Sequence, residues 1–193
     1  MNEEDIIKKI SETYSPLTYD CQQELIGLAK ILKLKKNFTL VREGQFSDKT
    51  YYVVSGCARA YYLKDGKDIS DWFAFENEFI SSIVSFFTNK PSPHFIELLE
   101  DSILVEFSRE QIEELSMKYH DYERLIRVIV TKTMLSQQER ITSIQFQNAE
   151  QKYNNILTIH PNITTRIPLT HIASYLGITL ETLSRIRSLK KRI

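Results

Sequence analysis

The chain has 193 residues, 42% of them apolar, with 25 acidic and 25 basic side chains, enough for one large domain or two small ones around a real core. No apolar run approaches the roughly 18–20 residues that span a bilayer, and the start Met1-Asn2-Glu3-Glu4-Asp5 is acidic where a secretory signal is basic, so a cytoplasmic protein with no membrane partner is expected. Cys21 and Cys57 are the only cysteines, too few for a disulfide framework, a four-cysteine zinc site or a cluster held by cysteines alone; both are expected to be buried.

Residues 5–14 carry Ile6, Ile7 and Ile10 at helical spacing, and Ser15-Pro16 interrupts them. Thr18 is placed to cap a second helix through Leu25, Ile26, Ala29 and Leu32, which ends before a solvated cluster of Lys33, Lys35 and Lys36. From Asn37 to Phe107 the period shifts towards two, with many aromatic and β-branched residues and turn signals at short intervals. Strands are predicted over 51–54, 59–63, 68–75, 95–99 and 103–107. Lys64-Asp65-Gly66-Lys67 forms a hairpin turn, and a short helix lies near 80–87. So many short strands without long intervening helices predict an α+β chain with an N-terminal antiparallel β-barrel or sandwich and flanking helices.

Ser108 with Gln111 three places on is a capping box, opening a helix that ends near Tyr119. Residues 121–148 then read as one long helix without Gly or Pro, about 40 Å at 1.5 Å per residue. Its apolar Leu125, Ile129, Leu135, Ile141 and Ile144 predict a dimer seam with a second copy of the chain. A further helix through Tyr153, Ile156 and Leu157 stops at His160-Pro161.

The stretch from Pro168 to Arg187 reads as a helix-turn-helix. Thr170 is the expected cap of a first helix carrying Ile172, Ala173 and Leu176, and Gly177 ends it with a positive φ. Thr179 is the expected cap of a second helix, with Leu183 and Ile186 inward and Glu181, Thr182, Ser184, Arg185 and Arg187 outward. Charge is divided along the chain: residues 1–147 hold 18 Lys and Arg against 23 Asp and Glu, residues 148–193 hold 7 against 2. A basic tail on an acidic body is the footprint of a protein whose tail alone meets a polyanion. The histidines His94, His120, His160 and His171 show no metal-ligand spacing. Neither a phosphate loop nor a nucleophile motif is present, so no enzyme, metal or cofactor is expected.

Tyr51-Tyr52-Val53-Val54-Ser55-Gly56-Cys57-Ala58-Arg59-Ala60-Tyr61-Tyr62, together with Ala173-Ser174-Tyr175-Leu176-Gly177-Ile178-Thr179 and Glu181-Thr182-Leu183-Ser184-Arg185-Ile186, resembles the Crp/Fnr family of transcription regulators. The resemblance implies a cyclic-nucleotide-binding-like jelly roll at residues 1–120, a dimerisation helix at 121–148 and a helix-turn-helix DNA-binding domain at 149–193. It implies a homodimer on double-stranded DNA, with RNA polymerase and an unidentified small-molecule effector as further candidate partners. DNA contacts are expected from Thr170, Thr179, Leu180, Glu181, Thr182, Ser184, Arg185, Arg187 and Lys190. A carboxylate accepts from cytosine N4, and a guanidinium pairs with guanine or phosphate. Leu180 departs from the family pattern, which has an Arg reader there in nucleotide-responsive members.

An effector pocket would involve Arg59, Tyr61, Phe79, Ser81, Ser82 and His94. The family's Gly-Glu and Arg-Ser pairs are replaced here by Glu78-Phe79-Ile80-Ser81-Ser82 and Ser92-Pro93-His94, so the phosphate-holding Arg is missing and no response to cyclic AMP is expected. His94, beside a proline, is read as a surface residue. The few residues after Arg187 leave most of the family's β-hairpin wing unbuilt. The competing reading is a ligand-sensing or protein-interaction module that does not bind DNA specifically.

Overall fold

Helix α1 (Glu3–Thr13) starts at a capping box in which Asn2 and Asp5 satisfy each other's backbone N–H, and it buries Ile6, Ile7 and Ile10. The computed structural model describes residues 2–190. Helix α2 (Tyr19–Leu28) begins after Thr18, whose N–H donates to Asp121 Oδ2 at 2.6 Å. It ends earlier than the sequence suggests, because Ala29 is extended and Lys30–Leu34 is a strand, β1. The residues assigned to a last helical turn pair instead with β8, with Lys30 opposite Glu106 and Leu32 opposite Leu104. Lys30 bonds Glu106 at 3.0 Å. Helix and strand were both open to a short apolar run here, and the partner strand decided between them.

The remaining strands are β2 (Thr39–Val41), β3 (Lys49–Ser55), β4 (Ala58–Lys64), β5 (Lys67–Ala74), β6 (Phe79–Ser81), β7 (Phe95–Leu98) and β8 (Ser102–Ser108). They form two four-stranded sheets, β1-β8-β3-β6 and β2-β7-β4-β5. The jelly roll is thus two sheets with open edges; of the barrel and the sandwich open to the sequence, the barrel is corrected. The edges are guarded as isolated edges must be: β2 and β6 have three residues each, and β1 exposes Lys30 and Lys33. The predicted helix near 80–87 is also shorter. Ile80 belongs to β6, opposite Tyr51, and α3 covers only Ile83–Thr88 before Asn89 ends it at φ 54°. Between β4 and β5, Asp65 and Gly66 both have positive φ, 51° and 73°, as a type I′ hairpin requires.

The chain forms two compact units, one of residues 1–60 and 73–134, the other of residues 61–72 and 135–193. In the first, Tyr52, Val105 and Phe107 project from one face of their sheet into a core with Ile6, Ile7, Leu25, Leu115, Tyr122 and Leu125. Helix α4 (Arg109–Lys118) opens at the Ser108–Gln111 capping box, and α5 (His120–Phe146) follows as a single helix of 27 residues. In the second unit, α6 (Ala149–Ile159) starts at a further capping box, Asn148 with Gln151. The short α7 (Ile163–Arg166), unforeseen in the sequence, leads to α8 (Leu169–Leu176) and α9 (Leu180–Lys190). Tyr153, Ile156, Ile163, Ile172, Ala173, Leu176 and Leu183 are buried, and α6, α8 and α9 pack pairwise.

Candidate functional site

Two helices and a tight turn form the candidate reading surface. Helix α8 starts at Leu169, with Pro168 rather than Thr170 at the cap; Thr170 lies inside the first turn and is exposed. At its other end Gly177 has φ 64°, its N–H donates to the Ser174 carbonyl at 3.1 Å, and Ile178 N–H donates to the Ala173 carbonyl at 3.0 Å. This pair of bonds is a Schellman motif, which only a residue tolerant of left-handed backbone can close. Thr179 then caps α9: its Oγ1 accepts from Thr182 N–H at 3.2 Å, and its carbonyl accepts from Leu183 N–H at 3.1 Å.

Leu183, fully buried, anchors α9, and Ile186 is half-buried. Glu181, Ser184 and Arg185 are exposed, as is Leu180, whereas Thr182 and Arg187 are half-buried. A bond from its own backbone N–H and the Thr179 hydroxyl hold the Glu181 carboxyl below its ordinary value. It is thus an acceptor at neutral pH. The side chain of Lys190 lies outside the described residues, as do Lys191 and Arg192.

The residues assigned to an effector pocket are spread over β4, β6, the start of α3 and the segment before β7. Arg59 on β4 is 2% exposed. Its Nε and Nη2 both donate to Glu97 Oε1, at 2.9 and 2.6 Å, from a carboxylate side chain 20% exposed on neighbouring β7. Tyr61 is half-buried further along β4. Phe79 stacks its ring near Tyr14 and Tyr52, with centroids 5.5 and 5.1 Å away. Ser81 and Ser82 are buried, and the Ser82 hydroxyl donates to Ser92 Oγ at 2.8 Å, which donates on to the His94 carbonyl at 2.7 Å. His94 is 5% exposed, so the expectation of a surface histidine is overturned: the bend at Pro93-His94 that leads into β7 turns it inward beside Ser92. Among the described residues no group of three or more His, Cys, Asp or Glu is placed to hold a metal.

Helix α5 divides the predicted seam in two. Leu125, 1% exposed, lies in the core of its own unit, and Ile129 packs against that core, so neither faces outward. Leu135, Ile141 and Ile144 are exposed. Val130 and Met134, not singled out in the sequence, are exposed with them, Met134 at 61%. Val130, Met134, Gln137, Ile141 and Ile144 follow one another at alternating spacings of four and three, the 3.5-residue period of a helix-to-helix seam. A heptad count picks out Val130 and Met134 and leaves Leu135 off that line.

Residues 31–119 match the cyclic nucleotide-binding domain family. The chain is similar to the fumarate and nitrate reduction regulatory protein of Vibrio cholerae, 27% identical over 197 residues that span 92% of this chain and 76% of that one. It is similar also to the transcriptional activator protein Anr of Pseudomonas protegens, 23% identical over 183 residues, 85% of this chain and 73% of that one. Among solved structures, FixK2 from Bradyrhizobium japonicum superposes with a TM-score of 0.73 at 18% identity, covering 83% of each chain.

Proposed function

We propose that this chain, which carries a match to the cyclic nucleotide-binding domain and is similar to Fnr and Anr regulators, is a transcription regulator of the Crp/Fnr type that acts as a homodimer reading specific double-stranded DNA through α9. The observation that carries this is the outward face of α9, where Glu181, Ser184 and Arg185 stand exposed on a helix fixed by the Gly177 turn, the Thr179 cap and buried Leu183. Arg185 supplies bidentate donors for guanine or phosphate, and Glu181, ionised, accepts from cytosine N4. Thr170, Thr179, Leu180, Thr182, Arg187 and Lys190 support the contact. The basic tail adds backbone attraction, so binding weakens steeply with salt.

The second copy joins along the Val130, Met134, Ile141 and Ile144 line of α5, which brings two readers to half-sites about 34 Å apart. Residues 1–120, 121–148 and 149–193 then serve as sensor-like domain, dimer helix and reader. Cyclic AMP is not the signal in this reading. Serine hydroxyls in the two segments that the resemblance matches to the family's phosphate-binding pairs bond one another and the His94 carbonyl, and the buried guanidinium of Arg59 is held by Glu97.

Selection of bound fragments from genomic DNA, followed by anisotropy titration at several salt concentrations, tests the proposal. The expected result is one enriched site with two-fold related halves, bound by a dimer in sedimentation. Binding without preference over bulk DNA at moderate salt would overturn it in favour of a sensing or protein-interaction module.

A further inference from the structure

The tip of the β4–β5 hairpin belongs to the same compact unit as α8 and α9, and polar contacts join them. β5 is the edge strand of its sheet, so one side of it has backbone groups without a neighbouring strand. Ser174 of α8 meets that side: its Oγ accepts from Ser70 N–H at 2.9 Å and donates to the Asp68 carbonyl at 3.1 Å. Arg140 of α5 continues the line. Its Nη2 donates to the Ser70 carbonyl at 3.3 Å, its Nη1 lies 3.3 Å from Asp71 Oδ1, and its guanidinium lies 4.8 Å from the centre of the Tyr175 ring on α8. His171, one turn before Tyr175, has Nδ1 3.8 Å from Asp68 Oδ1. Residues 171, 174 and 175 are one face of α8, whereas Ile172, Ala173 and Leu176 face the helical core. Thus α8 is gripped on both sides.

We propose that Ser174, Arg140 and Tyr175 are positioning residues, clasping α8 to the β4–β5 hairpin so that α9 is held at one orientation and a dimer accepts one half-site spacing. The clasp touches no base. It acts by preorganisation: a reader free to turn loses that freedom on binding, and a dimer incurs the loss in both halves when two readers must engage together. The inference rests on the DNA-binding reading above.

The test compares the wild-type chain with Ser174→Ala and Asp71→Asn on three probes. These are the selected full site, one isolated half-site, and full sites with the spacing lengthened or shortened by one base pair. Wild type is expected to reject the altered spacings. Ser174→Ala is expected to lose about tenfold on the full site, to keep its half-site affinity and base preference, and to bind altered spacings nearly as well as the original. Ser174→Thr, which keeps the hydroxyl, restores wild-type behaviour. Unchanged spacing preference in both variants, or equal loss on full and half sites, overturns the clasp while leaving DNA reading intact. Absence of any selected site for the wild type overturns both. If Ser174→Ala unfolds on thermal melting, Asp71→Asn, at the periphery of the clasp, carries the same comparison.

Discussion

Arg59 and Arg185 show how one residue type is put to opposite uses. Arg59 is buried on β4 and held by Glu97; Arg185 stands exposed on α9, beside an ionised Glu181. A desolvated guanidinium without a counter-charge is costly, so Arg59 acts as an internal strut between β4 and β7. A solvated guanidinium costs the fold little and keeps its donors for another molecule. The one side chain is turned inward to a partner within the chain, the other outward to solvent.

The largest test of that contrast is Arg185→Ala. Two half-sites, each losing roughly 2 kcal/mol, weaken binding to the selected site by about a thousandfold in anisotropy titration, with an unchanged melting temperature. Glu97→Ala is expected to do the reverse. Leaving Arg59 buried without this carboxylate costs about 3 kcal/mol in urea unfolding, while the protein that remains folded selects the same DNA sequence. A loss of DNA selectivity in Glu97→Ala without loss of stability would break the comparison.

Glu181→Ala sharpens it further. Discrimination at one base pair per half-site is expected to relax by about tenfold, with a smaller change in overall affinity. Because the Glu181 carboxyl is held below its ordinary value, the wild-type preference persists as pH falls through the usual carboxylate range. The smallest effect lies at Glu78, whose carboxyl is raised by burial against a lowering bond from Phe75 N–H. A raised value means the folded state favours the protonated form. Its stabilising contribution is therefore full below the unfolded carboxylate value and lost as pH rises through the folded one. Glu78→Gln should flatten that decline in unfolding experiments run upward in pH from the ordinary carboxylate range.

Much of the reader was legible because it is made by local rules. Gly177 ends a helix through its own backbone freedom, Thr179 caps the next through a bond three residues away, and Leu183 is the inward residue of a short pattern. The Thr170 cap was misread because α8 opens earlier: Pro168 holds the cap position without a side-chain bond, and Thr170 falls in the first turn. The sensor-like domain was less legible. That Lys30–Leu34 is a strand depends on β8, more than 60 residues away, and the burial of His94 depends on where the bend before β7 lies.

By itself the sequence determined the order of parts, the capping boxes at Ser108, the hairpin at Asp65-Gly66 and the helix pair around Gly177, because each rests on bonds within a few residues. The tertiary structure alone decided that the strands form two sheets and not a closed barrel, and that Leu125 belongs to its own core while Met134 faces solvent. It also decided that Arg59 meets Glu97 and Ser174 meets the edge of β5. Those outcomes depend on which distant group arrives to exclude water or accept a proton, and no local spacing encodes that arrival.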